Sequence, residues 1–264
     1  MVYAPREVGK TFFALETAYV IATGQDFLGW KPPKPARVLY LNGEMPASDF
    51  QQRLKAIELT RGPVSDEMLR IMTPDLQQTG MPDISRFDHQ QQLSNIVNNT
   101  DLVVIDNIST LCRSGNENEA DSWSSVQNFI LTLRANGVSV LLIHHAGKGG
   151  NQRGTSKRED VLDTVIALKR PEDYKASEGA RFEAHFEKAR GFTGDDAEPF
   201  EVALMVEEDG CYHWEYNTLE ETNYQKVIRL LKGGLSQKDI SIELALNKST
   251  ISRYAKQAQQ EGLL

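Results

Sequence analysis

The chain has 264 residues, of which 25% are charged and 40% hydrophobic, and its formal net charge is −8 at pH 7. This length and composition predict a globular protein with one large and one small domain. We expect no membrane span, because no run of 18 apolar residues occurs, and no secretory signal. The two cysteines, Cys112 and Cys211, form no ligand or redox pattern, so we expect a reduced, cytoplasmic protein.

The charge is unevenly distributed along the chain. Residues 223–264 contain seven Lys or Arg and three Asp or Glu, a net charge of +4, so the other 222 residues carry −12. A basic tail on an acidic body is typical of nucleic-acid binding, although a short basic helix of any function has the same composition.

A phosphate-binding loop opens the chain. The segment Ala4-Pro5-Arg6-Glu7-Val8-Gly9-Lys10-Thr11 follows the pattern G-x-x-x-x-G-K-[ST], with Ala4 in place of the first glycine. In such a loop the backbone N–H groups surround the phosphates, the Lys reaches the β and γ phosphates, and the hydroxyl binds Mg²⁺. An apolar helix that begins at Phe12 adds the positive end of its dipole. The alternative interpretation is a chance Gly-Lys-Thr turn.

Two features of this loop are unusual. Glu7 would place a carboxylate beside the phosphates, which costs free energy unless the side chain points to solvent or meets a cation such as Arg6. Only Met1-Val2-Tyr3 precede the loop as a strand, so we expect a truncated first strand that leaves backbone groups unpaired at the sheet centre.

The rest of the sequence alternates strands with helices, as βαβ units do, and predicts an α/β fold with a mostly parallel central sheet flanked by helices. The predicted strands cover residues 38–41, 68–72, 102–105, 138–143, 161–168, 182–187 and 200–206, some of the later ones antiparallel. The predicted helices cover residues 12–21, 47–59, 88–98 and 121–136, and residues 74–86 are predicted as a surface loop. A linker at 217–223 would separate this domain, residues 1–216, from an all-helical unit at 224–264.

Acidic side chains follow two of the predicted strands. In an open parallel sheet, ligands bind at the carboxyl ends of the strands. Asp106 closes the strand Leu102–Ile105, and we expect it to bind Mg²⁺ together with the loop hydroxyl; the alternative is a cap of the next segment. Glu44 follows an earlier strand, where a carboxylate could orient the water that attacks the γ-phosphate, or it could be a surface turn residue. Gly43 before it indicates a close approach to a ligand.

Two histidines, His144 and His145, end the strand at 138–143. Adjacent residues of a strand point to opposite faces of the sheet, so the two are not expected to chelate one metal together. One of them could contact the γ-phosphate or a bridging water and report the nucleotide state. The alternative for each is a histidine with ordinary hydrogen-bond partners at a strand end.

Two further segments carry clustered positive charge. The glycine-rich loop at 147–158 suits contact with the backbone of single-stranded DNA, although a flexible, solvated loop has the same composition. Its basic residues are Lys148, Arg153, Lys157 and Arg158. Farther on, Lys188 and Arg190 share one face of a strand. That pair could reach the γ-phosphate of a neighbouring subunit, as an arginine finger does, or form a cross-strand salt bridge.

The tail predicts a helix-turn-helix unit. Residues 236–246 form one helix with Ser236 as its N-cap, residues 247–249 the turn, and residues 250–258 a helix whose first residues would meet base edges or phosphates. Four apolar residues lie at core spacing: Ile240, Leu244, Ile251 and Ala255. A helical hairpin that contacts a protein would share this core. The polar residues of the turn and the second helix favour DNA: Lys248, Ser249, Thr250, Ser252, Arg253 and Lys256.

Taken together, these segments resemble the RecA-like ATPases of the plasmid RepA-type hexameric helicase group, relatives of the DnaB replicative helicases. The resemblance covers about residues 1–206. It rests on five ordered segments: the phosphate loop, Asn42-Gly43-Glu44-Met45-Pro46, the strand that ends at Asp106, Ile143-His144-His145-Ala146-Gly147-Lys148, and Lys188-Ala189-Arg190. The helix-turn-helix is a separate and more generic likeness.

The resemblance implies ATP and Mg²⁺ as cofactors and a homo-hexameric ring through which single-stranded DNA passes. The implied nucleotide-binding residues are Ala4, Pro5, Arg6, Glu7, Val8, Gly9, Lys10, Thr11 and Phe12, with Thr11 and Asp106 on the metal. By the same likeness, Glu44 is the catalytic base, His144 or His145 the sensor, and Arg190 with Lys188 the finger that serves the adjacent subunit. The family pattern carries Gly where Glu7 stands.

The sequence therefore predicts an ATP-hydrolysing, DNA-associated motor, a RepA-type helicase-like ATPase. A second hypothesis is a regulator or replication initiator that binds ATP as a switch, holds duplex DNA through its tail and unwinds nothing. A third is a remnant without enzymatic activity, of which Glu7 and the short first strand would be symptoms.

Overall fold

Short apolar runs form the strands of one nine-stranded sheet with the order β3-β2-β4-β5-β1-β6-β7-β8-β9. A computed structural model describes residues 1–113, 120–147, 161–171, 173–207, 210–260 and 264. The strands are β1 Val2–Ala4, β2 Val38–Asn42, β3 Leu69–Met72, β4 Leu102–Asp106, β5 Ser139–His145, β6 Thr164–Lys169, β7 Arg181–Ala189, β8 Phe200–Val206 and β9 Tyr212–Thr218. The helices are α1 Lys10–Thr23, α2 Ala47–Arg61, α3 Phe87–Val97, α4 Ile108–Leu111, α5 Ala120–Ala135, α6 Leu219–Lys232, α7 Gln237–Glu243 and α8 Lys248–Gln260.

The first six strands of that order, β3 to β6, are parallel, and β7, β8 and β9 continue the sheet as antiparallel strands. The short β1 lies at the sheet centre. Its Val2 is in register with Ile143 of β5 and Ile166 of β6. The strand is three residues long, but it pairs on both sides, so the expected loss of backbone pairing along β1 is not found.

Alternating side chains of the central strands enter two cores, one on each face of the sheet. In β2, Tyr40 packs with the face covered by α1 and α2, whereas Leu39 and Leu41 pack with the face covered by α3 and α5. Both faces are apolar because parallel strands are covered by helices on both sides. The mostly parallel α/β sheet predicted from the sequence is confirmed.

The structure differs from the prediction around residue 217. The strand β9, which the sequence did not indicate, pairs with β8 along its whole length and ends where α6 begins, at Leu219. Residues 217–223, predicted as a linker, are therefore the end of a strand and the first turn of a helix. Polar residues alternate along β9 because one of its faces is exposed, which weakened its apolar signal.

The last three helices pack around a small core of their own, formed by Val227, Ile240, Ile251 and Tyr254. As predicted, the Ser236 side chain caps α7 by accepting a hydrogen bond from the Asp239 backbone N–H. The second predicted helix starts two residues early, at Lys248. Among the described helices, none is both long and apolar enough to cross a membrane.

The region predicted as a surface loop, residues 74–86, is partly internal. Met81 and Ile84 are buried in the core on the α3 and α5 face, and residues 74–76 form a short 3-10 helix. The prediction was wrong for these apolar residues because their proline- and glycine-rich neighbours dominated the pattern.

Candidate active site

The carboxyl ends of β1, β2, β4 and β5 meet at one edge of the sheet, because these strands are parallel and adjacent. A cavity of about 850 Å³ opens there. Its charged and polar lining residues are Arg6, Glu7, Lys10, Thr11, Asn42, Glu44, Arg53, Asp106, Asn107, His145, Arg170 and Tyr174. The phosphate-loop motif, Glu44, Asp106 and His145 therefore converge on one site.

The phosphate-loop motif connects β1 to α1. Gly9 adopts φ 116° and is followed at once by α1, a left-handed conformation that a side chain would strain. The Lys10 ammonium donates hydrogen bonds to the carbonyl oxygens of Ala4 at 3.1 Å and Pro5 at 2.5 Å. Burial lowers the pKa of Lys10 to about 8, although Asp106 opposes the change. The loop geometry thus holds a buried, partly desolvated cation at a helix N-terminus.

Glu7 occupies a left-handed conformation with φ 64°, which explains why a glycine suits this position of the loop. Its side chain is exposed to solvent, one of the two arrangements in which a carboxylate near phosphates is tolerated. The other anionic groups of the cavity are Glu44, which follows β2, and Asp106, which ends β4. Glu7 therefore distinguishes this loop by its backbone strain as well as by its charge.

Asp106 ends β4 and is 4% exposed. Its Oδ2 accepts a hydrogen bond from the Tyr40 hydroxyl at 2.6 Å, and Thr11 donates a second one. Burial raises the pKa of Asp106, and both hydrogen bonds oppose that rise. The alternative role as a helix cap falls to Asn107, whose side chain accepts from the Thr110 backbone N–H and caps α4. Asp106 is thus free of a capping role and joined to the loop hydroxyl.

Glu44, Asn107 and His145 form a polar cluster across three strand ends. The Asn107 side-chain amide donates to the Glu44 carboxylate and lies 3.2 Å from His145 Nε2. His145 Nε2 also lies 3.5 Å from Glu44 Oε2. Burial, followed by the charge of Lys10, lowers the pKa of His145, so its imidazole is neutral at pH 7. Asn107 was not identified from the sequence, although it follows Asp106 at a strand end.

The two adjacent histidines separate as the strand geometry predicts. His145 lines the cavity, whereas His144 is fully buried and does not line it. Only His145 of the pair is placed to contact a ligand in this cavity. The role of either histidine as a nucleotide sensor stays a prediction.

Gly43 makes a close approach, but to protein and not to a ligand. A Cβ at this position would lie 2.5 Å from Thr110 Oγ1 and 2.7 Å from the Leu111 side chain. The expectation that Gly43 marks a ligand contact is therefore wrong; the glycine lets the segment that carries Glu44 pack against α4.

Arg53 and Tyr212 lie near the cavity, beside the predicted Phe12, and had no sequence signal. Arg53 of α2 lies with its guanidinium carbon 3.9 Å from the centre of the Phe12 ring, and both side chains line the cavity. Tyr212 of β9 contacts the Phe12 ring edge-on and donates to the Arg53 carbonyl oxygen at 3.1 Å. Only the fold brings α2 and β9 to the start of α1.

Lys188 and Arg190 lie at the opposite edge of the sheet. Lys188 pairs with Val165 near the start of β6, and Arg190 Nη1 lies 3.4 Å from Asp163 Oδ1. The carboxyl end of β6 faces the cavity, so about 20 Å of strand separates Arg190 from the site in the same chain. The Asp163 contact is the salt bridge given above as an alternative, here with 60% of the Arg190 side chain exposed.

The residues that line the cavity fit a nucleotide with Mg²⁺. No cluster of three His, Cys, Asp or Glu side chains that could hold a metal occurs among the described residues. Mg²⁺ is commonly bound by one or two protein oxygens together with substrate phosphates and water. The hydrogen-bonded pair of Thr11 and Asp106 supplies that smaller donor set beside the phosphate loop.

The basic helix α8 carries the other described candidates. Lys248, Ser249, Arg253 and Lys256 are exposed, and Thr250 and Ser252 are half-buried. The predicted core residues Ile240, Ile251 and Ala255 are buried, and Leu244 packs against that core. The loop candidates Lys148, Arg153, Lys157 and Arg158 lie outside the described residues.

Comparisons with known proteins agree with this geometry. Residues 1–151 match the model of a protein family described as AAA domain. Among solved structures, the KaiC-like protein PH0186 from the hyperthermophilic archaeon Pyrococcus horikoshii OT3 superposes with a TM-score of 0.53 at 15% identity, over 80% of this chain and 87% of that chain. A search of curated proteins found no match. The family match spans the phosphate loop, Glu44, Asp106 and His145, and the chain therefore belongs to the AAA domain family as a P-loop ATPase with a RecA-like fold.

Proposed function

We propose that this chain hydrolyses ATP with Mg²⁺ and uses the reaction to drive a DNA-associated motor of the replicative-helicase type. The observation that carries the proposal is the convergence of Lys10, Thr11, Asp106 and Glu44 on one cavity. This set contains a phosphate-binding cation, a hydroxyl-carboxylate pair and a separate carboxylate, which are the parts that in-line transfer of a phosphoryl group to water requires.

The chain's own groups hold the phosphates. When a triphosphate enters, the Lys10 ammonium exchanges the carbonyl oxygens of Ala4 and Pro5 for phosphate oxygens, which are stronger, charged acceptors. The first N–H groups of α1 point to the same place. Thr11 and Asp106 would hold Mg²⁺, which neutralises phosphate charge when bound. Phe12 and Arg53 offer a flat, cationic surface on which a base can stack.

Glu44 is placed to orient the attacking water. Its carboxylate is hydrogen-bonded by Asn107 and lies beside His145, yet 55% of the side chain is exposed, so it can accept a proton from a water in the cavity. Asn107 fixes the carboxylate, and the neutral His145 offers a hydrogen-bond partner to a water or phosphate oxygen. Preorganised polar groups of this kind supply most of the rate in phosphoryl transfer.

Replacing Lys10 tests the ATPase proposal. Lys10→Ala removes the cation of the phosphate loop and should abolish turnover, measured as phosphate release with and without single-stranded DNA. Lys55→Ala, which removes an exposed cation of α2 outside the cavity, should leave turnover unchanged. Unaltered ATPase activity in Lys10→Ala would refute the assignment.

The motor proposal includes a ring in which one subunit completes the site of the next. Arg190 is exposed at the sheet edge remote from its own cavity, so it can serve only a neighbouring site. We expect Arg190→Ala to lose DNA-stimulated turnover while nucleotide binding is kept. An equal loss of nucleotide binding would argue against a finger acting between subunits. A homo-hexamer is proposed by the resemblance to hexameric helicases, and sedimentation with ATP tests it.

The C-terminal unit supports a second candidate, an ATP-dependent DNA-binding regulator or initiator that does not unwind. The supporting observation is α8, which buries Ile251 and Tyr254 and exposes Lys248, Arg253 and Lys256, an arrangement suited to a helix that meets phosphates or base edges of a duplex. A strand-displacement assay with ATP separates the two candidates, because only the motor releases a paired strand.

A further inference from the structure

The described part of the segment between β6 and β7, residues 170–171 and 173–180, lies against the phosphate loop. Arg170, Tyr174, Gly179 and Ala180 from this segment line the same cavity as Lys10. A Cβ at Gly9 would lie 3.2 Å from the Ala180 Cβ, so the two segments are in close contact. The cavity therefore has a wall, formed by the segment after β6, that the sequence did not indicate.

Arg170 is held at the outer side of the phosphate loop by two weak partners. Its Nη2 donates to the Glu7 carbonyl oxygen at 3.2 Å, and its guanidinium carbon lies 4.5 Å from the centre of the Tyr174 ring. The residue is exposed to solvent. A neutral carbonyl is a poorer acceptor for a guanidinium than a phosphate, which can accept two parallel hydrogen bonds. A phosphate within reach would displace the carbonyl.

The segment is fixed at its far end. Arg181 makes ion pairs at 3.0 Å with Asp173, at 3.1 Å with Glu178 and at 3.0 Å with Glu201 of β8. The Tyr174 hydroxyl donates to the Gly179 carbonyl at 3.0 Å, so the ring beneath Arg170 is also tied. Arg170 can therefore change partner by moving its own side chain.

The loop geometry indicates which phosphate Arg170 meets. The N–H groups of a phosphate loop and its lysine surround the bound phosphates from inside. Arg170 lies on the solvent side of the loop, where it contacts the carbonyl of Glu7 at the middle of the loop. The cavity that Arg170 lines also contains Glu44 and Asp106, which are proposed above to act at the terminal phosphate and its Mg²⁺, so that phosphate is the one assigned to Arg170.

We propose that Arg170, which packs against the Tyr174 ring, is a nucleotide-contacting residue that binds the terminal phosphate of ATP within its own subunit. The contact also offsets the negative charge that Glu7 brings to the loop. The proposal rests on the ATPase function proposed above. It is separate from the Arg190 finger, which would act on a neighbouring subunit.

The test compares the affinities of full-length Arg170→Gln for MgATP and MgADP, measured by calorimetry. We expect the ATP affinity to fall about tenfold or more, since a charged hydrogen-bond pair is lost. The fold-loss of ADP affinity should be smaller than the fold-loss of ATP affinity by a factor of about three or more. Lys169→Gln, which removes a neighbouring exposed charge outside the cavity, should change neither. Arg170→Lys keeps the charge without the fork and should lie between the wild type and Arg170→Gln in its ATP-to-ADP affinity ratio.

Equal losses for ATP and ADP, or no loss for either, would overturn the proposal, because a residue that only braces the Glu7 carbonyl affects both nucleotides alike. If Arg170→Gln does not fold, the Arg170→Lys ratio decides: an unchanged ratio overturns the contact. A wild-type chain that binds neither nucleotide would instead refute the proposed function. The two failures are thus distinguishable.

Discussion

The cavity edge of the sheet and the C-terminal helical unit carry their candidate functional residues on two different kinds of structure. The cavity collects side chains from four strand ends and two loops, and several of its polar groups are fixed by hydrogen bonds, as Asp106 is by Tyr40 and Glu44 by Asn107. The helical unit builds a small core from neighbouring helices and carries its polar candidates on the exposed side of one helix, α8. A catalytic site requires side chains that several helices and strands hold in fixed positions, whereas a binding surface needs only a stable local scaffold.

The largest effect should come from Glu44 at the cavity. Glu44→Gln keeps the side-chain shape and an acceptor for Asn107 but removes the basic oxygen, so ATP turnover should fall by about 10²–10⁴-fold while ATP affinity is kept. Single-turnover phosphate release together with a nucleotide titration measures both quantities. Glu67→Gln, at an exposed position outside the cavity, is the matched control. Turnover within tenfold of the wild type would show that Glu44 is only a surface turn residue.

The next effect should be a loss of stability in the helical unit that leaves the sheet unchanged. Ile251 is fully buried in the helical unit, so Ile251→Ala should destabilise that unit by about 2–5 kcal/mol. We expect amide hydrogen exchange to accelerate in α6, α7 and α8 but not in β4, because local units can open separately. Ile242→Ala, at a side chain that is 72% exposed, should change the free energy of unfolding by less than about 0.5 kcal/mol. Equal acceleration in β4 would show that the two regions unfold together.

The same contrast explains what could be predicted from the sequence. Asp106 and Lys10 were identified because each stands at the end of an apolar run or within a spaced motif, and these are local signals. Asn107 follows a strand end, so its position offered a signal that was not used. Arg53 and Arg170 had none, because an arginine on a helix or a loop is common and only long-range packing brings these two to the cavity.

Strand β9 shows the same limit at the level of the fold. Its exposed face is polar and it lies at the sheet edge, so its pattern lacked the continuous apolar run by which β4 was identified. The short β1 was found only because the motif follows it. Its pairing with both neighbours depends on β5 and β6, which are more than 130 residues away along the chain.

A smaller effect should appear at the exposed face of α8 that is proposed to bind DNA. If the exposed Arg253 and Lys256 contact phosphates, replacing both by Ala should lower duplex DNA affinity by about tenfold and reduce the slope of log affinity against log salt by about 2. Fluorescence anisotropy across a salt series measures both. Lys238→Ala, an exposed cation on α7, is the control, and ATP turnover without DNA should not change. A double variant with wild-type affinity and slope would favour a protein-binding hairpin.

The smallest effect is a pH dependence of the ATP affinity, caused by Lys10 in the cavity. Burial lowers the pKa of Lys10 to about 8, and bound phosphates would stabilise the ammonium and raise that pKa. The complex therefore binds more protons than the free chain, so ATP affinity should fall as pH rises, by roughly eightfold between pH 7.5 and 9. Calorimetry in buffers of different ionisation enthalpy should record proton uptake on binding. Lys10→Arg stays charged throughout this range, so its affinity, whatever its size, should lose this dependence. An ATP affinity that stays constant with pH in the wild type would show that Lys10 is as well solvated as the exposed cations of α8. The same slope of affinity against pH in Lys10→Arg would show that another group causes the dependence.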